Sequence, residues 1–184
     1  TLDVIVGAGT NVLIYRTKIV LGTASWTRYT LAGSGDWPLA GAIQSLAVAD
    51  MNLDSRVDIV VGINPPPRES GVYRLRNMGM TGGATPTFNT WVSGRLPHTT
   101  VNPGNGLIQD LGSIKDIALG DTDGDGDIDI VFIGDVVDDL VNNLWHLANV
   151  GDVPASYIER NVYTTGWGNR KEKAFSVEMD YIDL

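Results

Sequence analysis

The chain has 184 residues, of which 43% are hydrophobic, 8% aromatic and 19% charged, and its formal net charge is −9. This length suffices for one domain with a sizeable core, and the absence of cysteine excludes a disulfide scaffold and thiolate chemistry. The acidity argues against a nucleic-acid-binding protein, because such proteins present basic patches. The sequence also has no apolar run long enough to span a membrane.

The N-terminal unit, approximately residues 1–49, predicts short strands separated by turn residues. Its first segment, "TLDVIVGAG", is an apolar run that follows Asp3, and "NVLIYR" and "SWTRYTLAG" come next. Apolar, β-branched and aromatic residues bounded by Gly and Asn are typical of strands. Nowhere does the chain keep up the 3.6-residue periodicity of an amphipathic helix.

The same order of segments recurs in two further units, approximately residues 50–120 and 121–177. The segment "LAVADMNLDSRVDIVVGI" matches "IALGDTDGDGDIDIVFIG" 71 residues later. Each is followed by a second strand, "GVYRLRN" or "NLWHLAN", and then by a segment with aromatic residues. A further unit starts at residues 178–184, where Glu178 and Asp180 are degenerate counterparts of the first acidic positions. Units of about four short strands predict an all-β fold.

The acidic stretch that opens the third unit predicts a calcium site. Its aspartates fall at the odd positions of a nine-residue loop: Asp121, Asp123, Asp125, Asp127 and Asp129. Two carboxylates 4 Å apart repel by about 4 kcal/mol at an effective dielectric of 20, so a loop that gathers them needs a cation. Calcium binds 6–8 oxygens from carboxylates, carbonyls and water. We expect position 7 to contribute its carbonyl, and Gly124 and Gly126 to supply positive φ angles.

The second unit opens with a weaker copy of this loop. The residues at the same five positions are Asp50, Asn52, Asp54, Arg56 (through its carbonyl) and Asp58. Asn52 replaces a charged ligand, and Ser55 replaces a loop glycine. The sequence therefore predicts about two calcium ions, the tighter one in the third unit because that loop has one more carboxylate.

Two other interpretations fit these loops less well. An EF-hand requires a bidentate Glu at position 12 and flanking helices, whereas position 12 is Phe132 within the apolar run "IVFIG". An acidic surface turn accounts for the abundance of Asp and Gly but not for the odd-position spacing. The pattern indicates a cation loop that leads directly into a buried strand.

The repeats resemble the FG-GAP or VCBS repeats that form the blades of integrin alpha-subunit β-propellers. "DTDGDGDIDIVFIG", "DMNLDSRVDIVVGI" and strands of the "YRLRNMG" type carry the resemblance, which covers nearly the whole chain. It implies about three blades of four antiparallel strands, with a calcium loop between the first two strands of a blade. Because propellers close with 4–8 blades, we expect a segment of a larger propeller or an association of copies.

No catalytic constellation is present, and we expect that the protein is not an enzyme. The only histidines, His98 and His146, stand in no nucleophile or zinc motif, and we expect His146 to be a packed or rim residue. The expected function is a calcium-binding extracellular or cell-surface module with a structural or adhesive role, because calcium is millimolar outside cells. Alternatives are a subunit of a self-assembling filament or surface layer, and a carbohydrate-binding or carbohydrate-active propeller.

Possible contact regions are the long Pro/Gly loops and one exposed tryptophan. Residues 64–71 and 95–106 form such loops, and loops on a rigid scaffold often carry function. We expect neighbouring blades or other copies as partners, and an extracellular protein or glycan as ligand. Trp37 is the candidate for an exposed aromatic residue, whereas packing between blades is expected for Trp26, Trp91 and Trp167.

Overall fold

The computed structural model is all-β, as the sequence predicts. It describes residues 3–31, 33–35, 41–64, 71–79, 91–95, 100–101, 108–109, 111–136, 144–152 and 155–161. These residues contain no helix, and therefore none that could cross a membrane. Their strands are β1 (Asp3–Ala8), β2 (Asn11–Val20), β3 (Thr23–Thr30), β4 (Gly33–Gly35), β5 (Ala42–Ala49), β6 (Asp58–Asn64), β7 (Gly71–Asn77), β8 (Trp91–Arg95), β9 (Thr100–Val101), β10 (Ile108–Gln109), β11 (Leu111–Gly120), β12 (Asp129–Val136), β13 (Leu144–Asp152) and β14 (Ala155–Asn161).

The strands form three larger sheets and one small ribbon. The first sheet has the order β1-β2-β3, the middle sheet β4-β8-β7-β6-β5, and the last sheet β11-β12-β13-β14, while β9 and β10 pair with each other. Neighbouring strands are antiparallel except β4 and β8, which are parallel. In the middle and last sheets, the strand before the acidic loop pairs with the strand after it, so each loop joins two adjacent strands.

The three larger sheets stack face to face, with the middle sheet between the other two. One hydrophobic cluster joins the first and middle sheets, and its members are Val12, Leu31, Ile59, Val61, Ile63, Tyr73 and Leu75. A second cluster joins the middle and last sheets, and its members are Met51, Val60, Val72, Ile114, Ile117, Ile130, Phe132, Trp145 and Leu147. Strand β6 is thus buried on both faces, which explains why its sequence is continuously apolar rather than alternating.

A glycine allows each sheet to approach the next one closely. Gly7 in β1 faces Ile43 in β5, and Gly62 in β6 faces Ile114 in β11, at the same position one repeat later. A Cβ atom would lie 2.6 Å from Ile43 Cγ2 if built on Gly7, and 2.9 Å from Ile114 Cβ if built on Gly62. Both distances are too short for a real contact, so the stacking contact requires glycine at both positions.

Strands β2 and β3 extend beyond β1 as a two-stranded ribbon. β1 pairs with β2 as far as Arg16, whereas β2 and β3 remain paired up to Val20 and Thr23. Trp26 lies on the projecting part and is 53% exposed. The expectation that Trp26 packs between blades is therefore wrong, because this part of the ribbon lies past the end of the strand that joins the stack.

Several sequence-based expectations concern residues outside the described part of the chain. These are the structures of His98, Trp37 and Trp167, the side chain of Trp91, most of the loops 64–71 and 95–106, and the degenerate fourth unit at 178–184.

We predict that Gly62→Ala lowers the free energy of unfolding by about 1–3 kcal/mol, the usual cost of overpacking a core. The added methyl group would collide with Ile114, which is fully buried. Urea unfolding followed by tryptophan fluorescence measures the change. The Gly62→Ala/Ile114→Ala double variant should lose less unfolding free energy than the sum of the losses in the two single variants, because alanine at position 114 leaves room for the added methyl group. Additive costs would contradict the close approach.

Candidate metal centre

The two acidic loops, residues 50–58 (the Asp50 loop) and residues 121–129 (the Asp121 loop), are folded by their first carboxylate. Asp50 Oδ1 accepts a hydrogen bond from the backbone N–H of Asp54 at 3.0 Å, and its Oδ2 accepts one from Ser55 at 2.7 Å. The carboxylate of Asp121 accepts backbone bonds from Gly124 at 2.7 Å and Gly126 at 2.9 Å, of which only Gly126 holds the same loop position as a donor to Asp50, namely Ser55. Both loops therefore close around an aspartate that binds backbone donors.

Positions 4 and 6 of both loops have positive φ angles, although only one loop has glycine there. In the Asp121 loop, Gly124 and Gly126 have φ of 81° and 92°, which confirms the role predicted for them. In the Asp50 loop the same positions are Leu53 and Ser55, with φ of 55° and 66°. Side chains with a Cβ are strained in this region by roughly 1–2 kcal/mol per residue, so the Asp50 loop adopts the shared conformation at a cost.

The Asp121 loop brings three carboxylates together at the protein surface. One oxygen each of Asp121, Asp123 and Asp129 lies within 4.8 Å of the other two. Calcium binds oxygens at about 2.3–2.6 Å, so two ligands on opposite sides of one ion lie about 4.6–5.2 Å apart. The three oxygens therefore fit the coordination shell of a single calcium ion, and the exposure of Asp121 and Asp123 leaves room for water ligands.

The other two predicted ligand residues of this loop lie outside the three-carboxylate cluster. Asp125 is exposed, and its Oδ1 accepts a hydrogen bond from the backbone N–H of Asp127 at 2.9 Å. This contact holds the second half of the loop in a turn.

Asp129 connects the Asp121 loop to the last sheet. It is fully buried, and its Oδ1 accepts a hydrogen bond from the backbone N–H of Asn149 at 2.8 Å. Its Oδ2 accepts bonds from the N–H of Thr122, at 2.9 Å, and from the Thr122 hydroxyl, and lies 3.5 Å from His146 Nε2. Burial raises the pKa of Asp129, but hydrogen bonds from Thr122, Asn149 and His146 outweigh this effect, so that its pKa is lowered. Asp129 is therefore a carboxylate at neutral pH.

Asp58 holds the corresponding place in the middle sheet, with an arginine beside it. Its Oδ1 accepts a hydrogen bond from the backbone N–H of Asn77 at 2.8 Å, and its Oδ2 accepts two from Arg74, at 2.9 and 2.6 Å. Burial raises the pKa of Asp58 by more than these hydrogen bonds lower it. The two side chains form a buried ion pair, with exposures of 6% for Arg74 and 0% for Asp58.

The remaining predicted ligands of the Asp50 loop bind one another. Asp54 Oδ1 accepts a hydrogen bond from the backbone N–H of Arg56 at 3.0 Å. Asp54 Oδ2 accepts bonds from Asn52 Nδ2 at 2.8 Å and from the Arg56 guanidinium. Burial raises the pKa of Asp54, but hydrogen bonds from Asn52 and Arg56 outweigh this effect, so that its pKa is lowered. Although residues 50–58 are all described, they contain no carboxylate cluster like that of the Asp121 loop.

The sequence reasoning missed the basic residue that faces the ninth-position aspartate. Asp58 and Asp129 hold this position, and Asp3, which also precedes an apolar run ending in Gly, aligns with them. The residue that faces each is Arg74 for Asp58, His146 for Asp129 and Arg16 for Asp3. His146 is buried as expected, but it also hydrogen-bonds Thr122 Oγ1 at 2.7 Å and so belongs to the loop site. The available signal was an aromatic residue followed by a basic one in the next strand of every unit: "YR", "YR" and "WH".

Comparison of the chain with protein-family models, with curated proteins and with solved structures finds no match in any of the three. The interpretation of the site therefore rests on its residues and their geometry.

We predict that Arg74→Met lowers the free energy of unfolding by about 3–5 kcal/mol, because it leaves the buried carboxyl group of Asp58 without its guanidinium partner. Guanidinium chloride unfolding at neutral pH measures the loss. Arg28→Gln, which removes an exposed arginine of β3, is the control and should change stability by less than about 0.5 kcal/mol. Equal effects of the two variants would contradict a special role for the buried pair.

Proposed function

We propose that the chain is a calcium-binding module of a propeller-like repeat protein, with a structural or adhesive role outside the cell. The observation that supports this most is the convergence of Asp121, Asp123 and Asp129 within 4.8 Å in an exposed loop. Three carboxylates at this spacing repel one another in the absence of a cation. A hard divalent ion with oxygen ligands at about 2.3–2.6 Å removes that repulsion.

Calcium at this loop would act on the stability of the last sheet. Asp121, Asp123 and Asp129 would bind the ion, with water and a loop carbonyl completing its coordination. Asp129 is the first residue of β12 and binds the backbone N–H of Asn149 in β13. Because a metal site of this kind is not formed in the unfolded chain, the binding free energy adds to the free energy of folding.

The stacked sheets support the propeller-like part of the proposal. The contact of Gly7 with Ile43, between the first and middle sheets, recurs as the contact of Gly62 with Ile114, between the middle and last sheets. Both pairs of sheets therefore pack through the same repeat positions. A radial repetition of small antiparallel sheets is the architecture of propeller blades. The proposed extracellular location rests on the calcium concentration that such sites need. Extracellular modules bind calcium with dissociation constants of about 10⁻⁴–10⁻³ M, so they are filled only where calcium is millimolar.

Thermal unfolding with and without calcium tests the proposal. At a calcium concentration of 100 times Kd, stabilisation is about 2.7 kcal/mol, which raises Tm by about 5–10 °C in a chain of this size. We predict that Asp123→Asn abolishes most of this increase.

Asp3→Asn is the charge-matched control for that experiment, because it removes a carboxylate of the first sheet outside both loops. It should retain the full calcium-dependent rise in Tm. If the wild-type chain has the same Tm in calcium and in EDTA, the proposed function is wrong.

Self-assembly is a second candidate, which the outer face of the first sheet favours. Val4 and Val6 in β1 are 39% and 37% exposed, whereas the corresponding residues of β6, Ile59 and Val61, are fully buried beneath the first sheet. Within the described residues, β1 pairs only with β2, whereas β6 pairs with β5 and β7. An open edge and an apolar face are the surfaces on which a further repeat, or another copy, could continue the stack.

Light scattering in millimolar calcium tests this second candidate. We predict a particle mass above that of one chain, and a reduced mass for Val6→Lys, because a lysine on the outer face would have to be desolvated on stacking. Lys18→Ala, on the projecting ribbon, is the control. A wild-type chain that remains monomeric at high concentration contradicts self-assembly.

A further inference from the structure

The two acidic loops share a backbone conformation but differ in the source of their positive charge. Both loops close around the first aspartate and have positive φ at positions 4 and 6. The Asp121 loop contains five aspartates and neither lysine nor arginine. The Asp50 loop contains three aspartates and one arginine, Arg56, and the neighbouring strand adds Arg74. What distinguishes the loops is therefore charge rather than shape.

Arg56 is a loop residue whose side chain binds both the Asp50 loop and the strand beside it. Its guanidinium binds the Asp54 carboxylate, and its Nε donates to the backbone carbonyl of Asn77 at 2.9 Å. The side chain runs beside Gly79, where a Cβ atom would lie 3.4 Å from Arg56 Cδ. Arg56 thus connects the middle of the loop to the end of β7.

Two carboxylates that calcium would need in this loop are already paired with guanidinium groups, whereas the Asp121 and Asp129 carboxylates of the other loop bind backbone N–H groups, Thr122 and His146. Asp54 Oδ2 accepts hydrogen bonds from both Asn52 and Arg56, and Asp58 Oδ2 accepts two from Arg74. Asn52 Oδ1 is buried without a hydrogen-bond partner. The amide nitrogen of the same residue, however, points at Asp54, and one neutral oxygen cannot supply the 6–8 ligands of calcium. The residues of the Asp50 loop therefore do not fit a calcium ion.

We propose that the Asp50 loop is held by the guanidinium groups of Arg56 and Arg74 in place of a metal ion. Arg56 is paired with Asp54 and Arg74 with Asp58, and these two permanent positive charges reduce the local negative charge as a divalent ion would. Arginine suits this role because its side chain is always charged and offers several donors in a fixed plane. Of the two acidic loops that the structure describes, one is metal-dependent and one metal-independent, so together they bind one calcium ion rather than two. The contrast between the loops rests on the proposed function of the Asp121 loop.

Calcium stoichiometry and thermal unfolding together test this inference. Isothermal titration of the chelator-stripped wild-type chain with CaCl₂ should give one ion per chain, and two ions would overturn the proposal. Asp54→Asn and Asp123→Asn are a matched pair, because each removes one carboxylate from one loop. Asp54→Asn should retain one ion per chain, and Asp123→Asn should lose it.

The same pair should differ in how its stability depends on calcium. We expect Asp54→Asn to lower Tm by about 2–4 °C, equally in EDTA and in calcium. This is the shift that a loss of about 1 kcal/mol causes in a chain of this size. Asp123→Asn should lower Tm only in calcium. An Asp54→Asn effect that disappears in EDTA would overturn the inference, because the loop would then depend on metal.

Arg56→Gln keeps the inference testable if the wild-type chain binds no calcium. That result would contradict the proposed function of the Asp121 loop but would leave the arginines in place. In that case Arg56→Gln should still lower Tm in EDTA by about 2–4 °C, with Arg28→Gln as the control that does not. If Arg56→Gln has no effect in EDTA, the guanidinium does not hold the loop and the inference is wrong.

Discussion

A buried carboxylate at the start of a strand organises each acidic loop and its surroundings. A buried charge is tolerated only when it is paired and hydrogen-bonded; Asp58 is paired with Arg74, Asp129 is bound by Thr122 and His146, and both share one further backbone contact. Each accepts a hydrogen bond from the backbone N–H of an asparagine in the next strand: Asp58 from Asn77 in β7, and Asp129 from Asn149 in β13. The end of the loop, the strand that follows it and the neighbouring strand are thereby fixed together. The geometry of the exposed half of the loop depends on this anchor.

The anchors also connect one repeat to the next. Asn149, which binds Asp129 through its backbone, donates from its side chain to the carbonyl of Met51 at 3.1 Å. Met51 lies in the Asp50 loop and packs in the cluster between the middle and last sheets. The two loops are therefore mechanically linked, although one carries five aspartates and the other has arginine at its centre. A change that displaces Asn149 in the last sheet would therefore also disturb the Asp50 loop of the middle sheet, through the hydrogen bond to Met51.

In our proposal, one backbone conformation is stabilised by different chemistry in the two loops. Concentrated negative charge in an exposed turn needs compensation, which a bound ion or a guanidinium can supply. A bound ion would make the stability of the loop depend on the calcium concentration of the surroundings, whereas the arginine is part of the chain and always charged. The strain at Leu53 and Ser55, which occupy positions where the other loop has glycine, is consistent with a loop held by its own side chains.

Local patterns in the sequence determined the all-β fold, the positions of both loops and the need for positive φ at Gly124 and Gly126, because strand formation and turn conformation depend on residues close along the chain. Only the tertiary structure decided which residues surround each carboxylate. Arg74 lies 16 residues from Asp58 and meets it because the intervening strands pair in one register. Likewise, the exposure of Trp26 depends on where β1 ends beside β2. Pairing register and sheet stacking are set by contacts distant in sequence, so composition and spacing could place the acidic residues but not Arg74 and His146, which face them.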